Sequence, residues 1–305
     1  MEYQWYPGHM TKARRMMEEN VRLVDLVIEI LDARVPLSSR NPDIDVLAKG
    51  KERLIILGKS DLADPKRTEE FLSYFEAGHV QSIAADLRTG KEKKKILKAI
   101  SCATKSKRKW DEAHGMRRPV RVMVCGIPNV GKSTLINTLT GRKSAKTGNR
   151  PGVTKGKQWI HLDQLDLLDT PGILWPKFED QNVGIRLSII GSIREEILDE
   201  EELALHLLDI LLPHYLTVLE ERYFSKVTDR QRKEWEAKES FTIQERQSLL
   251  EELALTKGLL LAGGRPDMRR ASHLLLSDFR SGKLGCITLD TPGDLDVQNE
   301  EVIET

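Results

Sequence analysis

Val120-Arg121-Val122-Met123-Val124-Cys125-Gly126-Ile127-Pro128-Asn129-Val130-Gly131-Lys132-Ser133-Thr134-Leu135 reads as an apolar strand, a glycine loop and the first turn of a helix. Residues Gly126 to Ser133 spell GxxxxGKS, and strand before with helix after is the context in which that pattern cradles phosphate. Glycines let backbone N–H groups turn inward around phosphate oxygens, and the following helix points its positive end at the anion. The expected contacts are Asn129, Val130, Gly131, Lys132, Ser133 and Thr134. Lys132 reaches the β- and γ-phosphates, and Ser133 ligates Mg²⁺. Downstream, Leu165-Asp166-Leu167-Leu168-Asp169-Thr170-Pro171-Gly172 is a strand that ends in DxxG. Asp169 is expected to hold a water of the Mg²⁺ shell, and the Gly172 N–H to sense the γ-phosphate. Between the two motifs, Thr154 in Arg150–Thr154 is the candidate second hydroxyl on Mg²⁺, supplied by a switch loop.

A guanine-specific site needs a carboxylate that accepts from N1 and N2, a donor pair that adenine lacks at that edge. A site built on that contact rejects the wrong base because its buried carboxylate is left unpaired. No convincing N/TKxD motif follows Gly172. Upstream, Leu54-Ile55-Ile56-Leu57 leads into Gly58-Lys59-Ser60-Asp61, a KxD at the end of an apolar strand. The Lys59 stem can pack on the purine face, and Asp61 can read N1 and N2. A third strand, residues 79–83, ends at Ala84-Ala85, where a backbone N–H can meet guanine O6. The base motifs therefore precede the phosphate motifs, and the G domain reads as circularly permuted.

Apolar and amphipathic segments alternate through the first half. Residues 10–22, 64–75, 91–100 and 132–139 read as helices, and 23–31, 53–57, 120–125, 159–162 and 165–168 as further strands. Residues 104–118, rich in Lys and Arg, read as a loop. After about Val183 the pattern is helical, with leucine-rich segments at 201–212 and 243–261. Gly263-Gly264 is a stop, and a last helix runs from Pro266 to about Arg280. The expected fold is α/β: a circularly permuted P-loop G domain over residues 1–183, its mostly parallel sheet carrying helices on both faces. A small all-α domain with a polar tail follows over 184–305.

The net charge of +1 conceals two opposite halves. Through Gly172 there are 32 Lys and Arg against 21 Asp and Glu, a net of +11; the remainder has 16 against 26, a net of −10. A basic half points to a polyanionic partner, or else to attraction between the halves. Candidate phosphate contacts are Lys12, Arg14, Arg15, Lys105, Lys107, Arg108, Lys109, Arg117, Arg118, Arg142, Lys143, Lys146, Lys155, Lys157, Arg265, Arg269 and Arg270. Trp110 can stack on a base or anchor its own segment. Three scattered cysteines form no framework, and no run approaches the roughly 18 apolar residues of a membrane span. The expectation is a cytoplasmic protein with no membrane partner.

The stretches Trp5–Met10, Asp32-Ala33-Arg34-Val35-Pro36, Ser39–Pro42, Gly126–Leu135, Lys146–Gly148, Arg150–Thr154 and Leu168–Asp180 resemble the circularly permuted ribosome-biogenesis GTPases, the ribosome biogenesis GTPase A (RbgA/YlqF) group. The likeness covers nearly the whole chain and weakens after about Ile197. It implies a GTPase that binds GTP/GDP with Mg²⁺, acts late in assembly of the immature large ribosomal subunit, and is activated by that particle of rRNA and ribosomal proteins. Off the ribosome it is expected to be monomeric. Ile173 stands where Ras-like enzymes carry the water-orienting Gln, which makes the chain similar to the hydrophobic-substituted GTPases. His9 is the candidate replacement, since imidazole can orient or deprotonate water near neutral pH, and the alternative is a structural His in a Pro-Gly turn. In related phosphate loops the residue at Asn129 helps hold a K⁺ ion, so K⁺ is a candidate activator. One departure concerns Gly58, where the family usually has an Asn that contacts the base and braces the phosphate loop. Its absence is expected to cost about 1–2 kcal/mol of binding, as for one hydrogen bond. A GTP-switched RNA or protein scaffold with little hydrolysis is the alternative reading, and an ATPase is a third.

Overall fold

The computed structural model describes residues 10–141, 158–170, 180–193, 199–224 and 240–291, with isolated positions between 228 and 238. His9, Arg142, Lys143, Lys146, Thr154, Lys155, Lys157, Gly172 and Ile173 lie outside the described residues.

Six strands form one sheet: β1 (Leu26–Asp32), β2 (Glu52–Gly58), β3 (Gln81–Ala85), β4 (Val120–Cys125), β5 (Gln158–His161) and β6 (Leu165–Asp169). Their order is β3-β2-β1-β4-β6-β5, and every pair is parallel except β5 with β6. All seven residues of β1 are buried, as in a strand covered on both faces, with Glu29 and Asp32 the two charged positions in an otherwise apolar run. Leu26, Ile28 and Ile30 point into one hydrophobic cluster, while Val27 and Leu31 point into clusters on the opposite face. The chain reverses direction across the sheet between β1 and β4. Such switch points are where open α/β sheets bind ligands, beyond the carboxyl ends of the strands.

The first-half helices are α1 (Met10–Val21), α2 (Asp43–Leu47), α3 (Pro65–Ala77), α4 (Lys93–Ala103), α5 (Lys105–Ala113) and α6 (Lys132–Thr140). The Asp64 carboxylate caps α3 by accepting from the N–H groups of Lys66 and Arg67, and Pro65 occupies the first turn, where its missing N–H costs nothing. The segment expected as a loop, 104–118, is instead mostly helical. Its lysines and acids suit a helix, and Lys107 Nζ donates to Asp111 Oδ1 one turn on at 2.7 Å. β1 begins three residues later than expected, because Leu23 N donates to Asn20 O in a turn that leaves Leu23 exposed.

The second half contains α7 (Gln181–Ile189), α8 (Glu200–Arg222), α9 (Ile243–Thr256) and α10 (Met268–Ser281). The helix expected to stop before Pro213 continues beyond it through a kink, with Tyr215 at φ −133° and ψ 29°. α8 is long and apolar enough to suit a membrane span. Its Leu203, Ala204, Leu207, Leu208 and Leu211 are nevertheless buried in the cluster that α10 and the sheet share. α9 ends earlier than expected, before Gly258 at φ 65°. Its start carries a capping box, with Thr242 and Glu245 satisfying each other's backbone N–H groups. After α10 the chain runs back to the segments that follow β1 and β2, where Leu289 N donates to Arg34 O and Ile287 N to Leu62 O, and Leu284, Ile287, Leu289 and Asp290 are all buried.

Candidate nucleotide-binding site

The carboxyl ends of β1, β2, β3, β4 and β6 bring the separate motifs to one edge. Asp32 pairs in register with Gly58, and Gly58 with Ala85. Across the switch point, Val124 pairs with Asp169, two residues before Gly126. Motifs that the sequence places in reversed order thus meet in space.

The phosphate loop leaves β4 at Gly126, φ 143°, and turns through Asn129 at φ 62° and Gly131 at φ 109°. A Cβ at Gly126 would stand 2.4 Å from the Ile30 carbonyl oxygen, so only glycine fits against β1 there. Gly126→Ala is therefore expected to destabilise the fold by about 2–4 kcal/mol, from backbone strain plus overpacking. Denaturant unfolding checks this, and the same sample should bind nucleotide poorly.

Lys132 is buried, and its Nζ donates to the Ile127 carbonyl oxygen at 2.6 Å. Burial pushes its ammonium down to about 8, against the pull of Asp169 and the Cys125 sulfur. Asp169 is 3% exposed at the end of β6, and Thr170 beside it donates its hydroxyl hydrogen to Val124 O at 2.6 Å. Val130 is buried, and Ser133 and Thr134 are partly exposed in the first turn of α6. A buried cation, a helix start and a buried carboxylate are a donor set suited to a phosphate chain with a hard cation. Asn129, the candidate K⁺ ligand, donates its amide N–H to the Gly191 carbonyl oxygen at 2.8 Å, tying the loop to the segment after α7.

On the base side, Lys59 sits in the left-handed region at φ 57°, and Ser60–Leu62 form a single 3₁₀ turn. Lys59 Nζ donates to Asp32 Oδ2 at 2.8 Å. Arg34 holds the same carboxylate with its Nε at 2.9 Å and a terminal nitrogen at 2.8 Å. Burial alone would raise the Asp32 carboxyl, yet Arg34 and Lys59 overcome this and hold it well below the usual range. Asp61 Oδ2 accepts from Arg88, while its Oδ1 is buried and meets no donor among the described residues. Burial, with Asp86 adding to it and Arg88 opposing, raises the Asp61 carboxyl. A buried acceptor that lacks a donor is costly, and the N1–H and N2–H edge of guanine supplies donors of the required kind.

Ala84 and Ala85 end β3 instead of following it, and the Ala84 carbonyl oxygen accepts from Lys95 Nζ at 2.7 Å. A Cβ at position 58 would lie 3.1 Å from the Val130 carbonyl oxygen, so the phosphate loop closes directly on Gly58. The buried Asp32–Arg34 pair and Arg88 join the site without belonging to the phosphate-loop, DxxG or KxD motifs. Charged residues just past an apolar strand are the local signal for the first; Arg88 has none, since its partner lies 27 positions away.

Of the candidate polyanion contacts, Arg15, Lys105, Lys109, Arg117, Arg265, Arg269 and Arg270 are exposed. Lys12 and Arg14 belong to α1. Arg108 is partly buried. Lys107 is paired with Asp111, and Arg118 grips Asp25 through two bonds of 2.9 and 2.8 Å. Trp110 is half exposed, stacks on His114 with centroids 4.2 Å apart, and carries the Lys107 ammonium over its ring.

Residues 121–248 match the family model described as 50S ribosome-binding GTPase. Ribosome biogenesis GTPase A of Bacillus cereus is 44% identical, over 99% of this chain and 98% of that protein. The Priestia megaterium protein of the same name is 41% identical, over 96% of this chain and 98% of its own length. The GNP-bound YlqF structure from T. maritima aligns with a TM-score of 0.61 at 28% identity, covering 92% of this chain and 98% of that one. With its KxD motif upstream of its phosphate loop and both at one sheet edge, this chain belongs to the ribosome biogenesis GTPase A family and is a circularly permuted P-loop GTPase.

Proposed function

We propose that this GTPase binds the immature large ribosomal subunit, promotes a late step of its assembly, and hydrolyses GTP faster on that particle. The observation that carries the nucleotide half is the buried Asp61 Oδ1 at the same edge as the buried Lys132. The particle half rests on the likeness to ribosome biogenesis relatives and on the basic surface of the first half.

In this reading Asp61 accepts from guanine N1 and N2, the Lys59 stem lies on the purine face, and the β3 end approaches O6. The loop N–H groups and Lys132 take up the charge that builds on the phosphate oxygens during hydrolysis. Ser133 and Asp169, with Thr154, would hold Mg²⁺, which when bound neutralises the β- and γ-oxygens. Ile173 cannot orient water, so His9 is assigned that task, and Asn129 is assigned to an activating K⁺. The G domain is taken to span 1–183 and the helical domain 184–305. The protein is placed in the cytoplasm, monomeric off the particle, with no membrane partner.

The test is co-sedimentation with large subunits in GTP, GDP and no nucleotide, with hydrolysis measured in the same tubes. GTP-dependent sedimentation with faster turnover is expected. Reversing three exposed charges together, Lys105→Glu, Lys109→Glu and Arg117→Glu, should weaken sedimentation and flatten its logarithmic salt dependence by about 2, since each phosphate contact contributes about 0.7–0.9. GTP-dependent sedimentation that leaves turnover unchanged would favour the GTP-switched scaffold, and binding that ignores nucleotide would contradict both readings.

A further inference from the structure

Asp61 can make two directed hydrogen bonds to a base only if its loop is held to about half an ångström. Two features of this chain work against that. Gly58 has no side chain to tie the loop to the phosphate loop. Lys59 occupies a left-handed conformation that persists only where the surroundings impose it.

The missing support comes from the other end of the chain. Where α10 ends, Gly282 packs onto the loop, and a Cβ there would lie 2.6 Å from Leu62 Cδ2. Residues 284–290 then run alongside as a strap. Cys286 Sγ lies 3.5 Å from the Asp61 carbonyl oxygen, and Ile287 N donates to Leu62 O at 3.0 Å. Asp64 N donates to Thr288 Oγ1 at 3.1 Å, and Thr288 Oγ1 donates to Ala33 O at 3.3 Å. Leu289 N donates to Arg34 O at 2.7 Å. The strap is itself anchored. Asp290, fully buried, accepts from Leu37 N at 2.7 Å, Ser38 N at 2.8 Å, the Ser38 hydroxyl at 2.7 Å and Arg186 at 3.1 Å. Tyr215 of α8 closes the arrangement, its hydroxyl accepting from Thr288 N and lying 3.2 Å from Asp64 Oδ2.

We propose that the strap over residues 282–290 positions the guanine-reading loop, with Thr288 and Asp290 as the positioning residues that set discrimination for guanine. The strap does not touch the nucleotide; it acts through Asp61. It also makes the C-terminal helices part of base recognition, because the strap continues directly from α10. This rests on the reading that Asp61 meets guanine N1 and N2.

The test compares affinities for GDP and for inosine diphosphate, which lacks the 2-amino group, in the full-length protein. Thr288→Val keeps the side-chain volume and removes both hydroxyl bonds. Asp290→Asn removes the charge that anchors the strap. Both are expected to cut the preference for GDP over inosine diphosphate about tenfold, the equivalent of the one hydrogen bond that only GDP can lose, since both nucleotides present N1–H. Thr288→Ser should restore the preference. Equal losses for both nucleotides, as general loosening would give, or an unchanged preference in the two variants, would overturn the proposal. Asp61→Ala is run beside them. If it retains the preference, the base-site reading itself is wrong and the strap's role falls with it. If it loses the preference while Thr288→Val and Asp290→Asn keep it, only the strap proposal fails.

Discussion

Lys132→Met is expected to reduce GTP turnover by about 10²–10³-fold while leaving the melting temperature unchanged or raised. The two halves of that expectation have one cause. Lys132 carries its charge in a buried position, and burial presses its ammonium down towards neutrality. Among the described residues, the Ile127 carbonyl oxygen accepts from it at 2.6 Å. Folding gains little from so desolvated a cation, so a methionine of similar volume removes a cost and keeps the packing. Hydrolysis needs the charge, because the phosphate oxygens gain negative charge in the transition state inside a site that excludes water. Single-turnover hydrolysis and thermal unfolding on one preparation check both halves. Full turnover in the variant would remove Lys132 from the mechanism.

Asp61→Asn should exchange guanine for xanthine. Asp61 presents two acceptor oxygens, one of them buried with no donor among the described residues. Guanine offers N1–H and N2–H to that pair. The amide introduced by the substitution keeps one acceptor and turns a donor towards N2–H, so a favourable contact becomes a repulsive one. Xanthine carries a carbonyl at position 2 and suits an amide. GDP affinity is expected to fall by about 10²–10³-fold, as when a polar site faces the wrong partner, and xanthosine diphosphate to become the better ligand. Competition against a labelled nucleotide measures it. An unchanged order of preference would mean that another group reads the base.

Much of this site was legible locally. The strand before the phosphate loop was expected at Val120–Cys125 and lies there, because an apolar β-branched run followed by GxxxxGKS admits little else. Lys59 and Asp61 stand out as the candidate reader because a guanine site must have a carboxylate and no convincing N/TKxD motif follows Gly172. Charge misled at one place: the Lys- and Arg-rich stretch 104–118 suggested a loop, yet α5 covers Lys105–Ala113 through pairs such as Lys107 with Asp111. Pro213 misled at another, since burial of Leu216 and Leu219 carries α8 past its kink. The strap had no local signal. Asp290 bonds to Leu37 and Ser38 across separations of 253 and 252 residues, and no periodicity in either segment encodes such a meeting. The same holds for Arg88 at Asp61.

Asp61 and the phosphate loop that begins at Gly126 are expected to hold the two ends of one nucleotide. A crystal structure of the protein with GDP and Mg²⁺ tests it most directly. The Asp61 carboxylate oxygens are expected about 2.7–3.1 Å from guanine N1 and N2, with Lys132 Nζ at similar range from the β-phosphate of the same molecule. A GDP whose phosphates lie in the loop while its base rests away from Asp61 would contradict it.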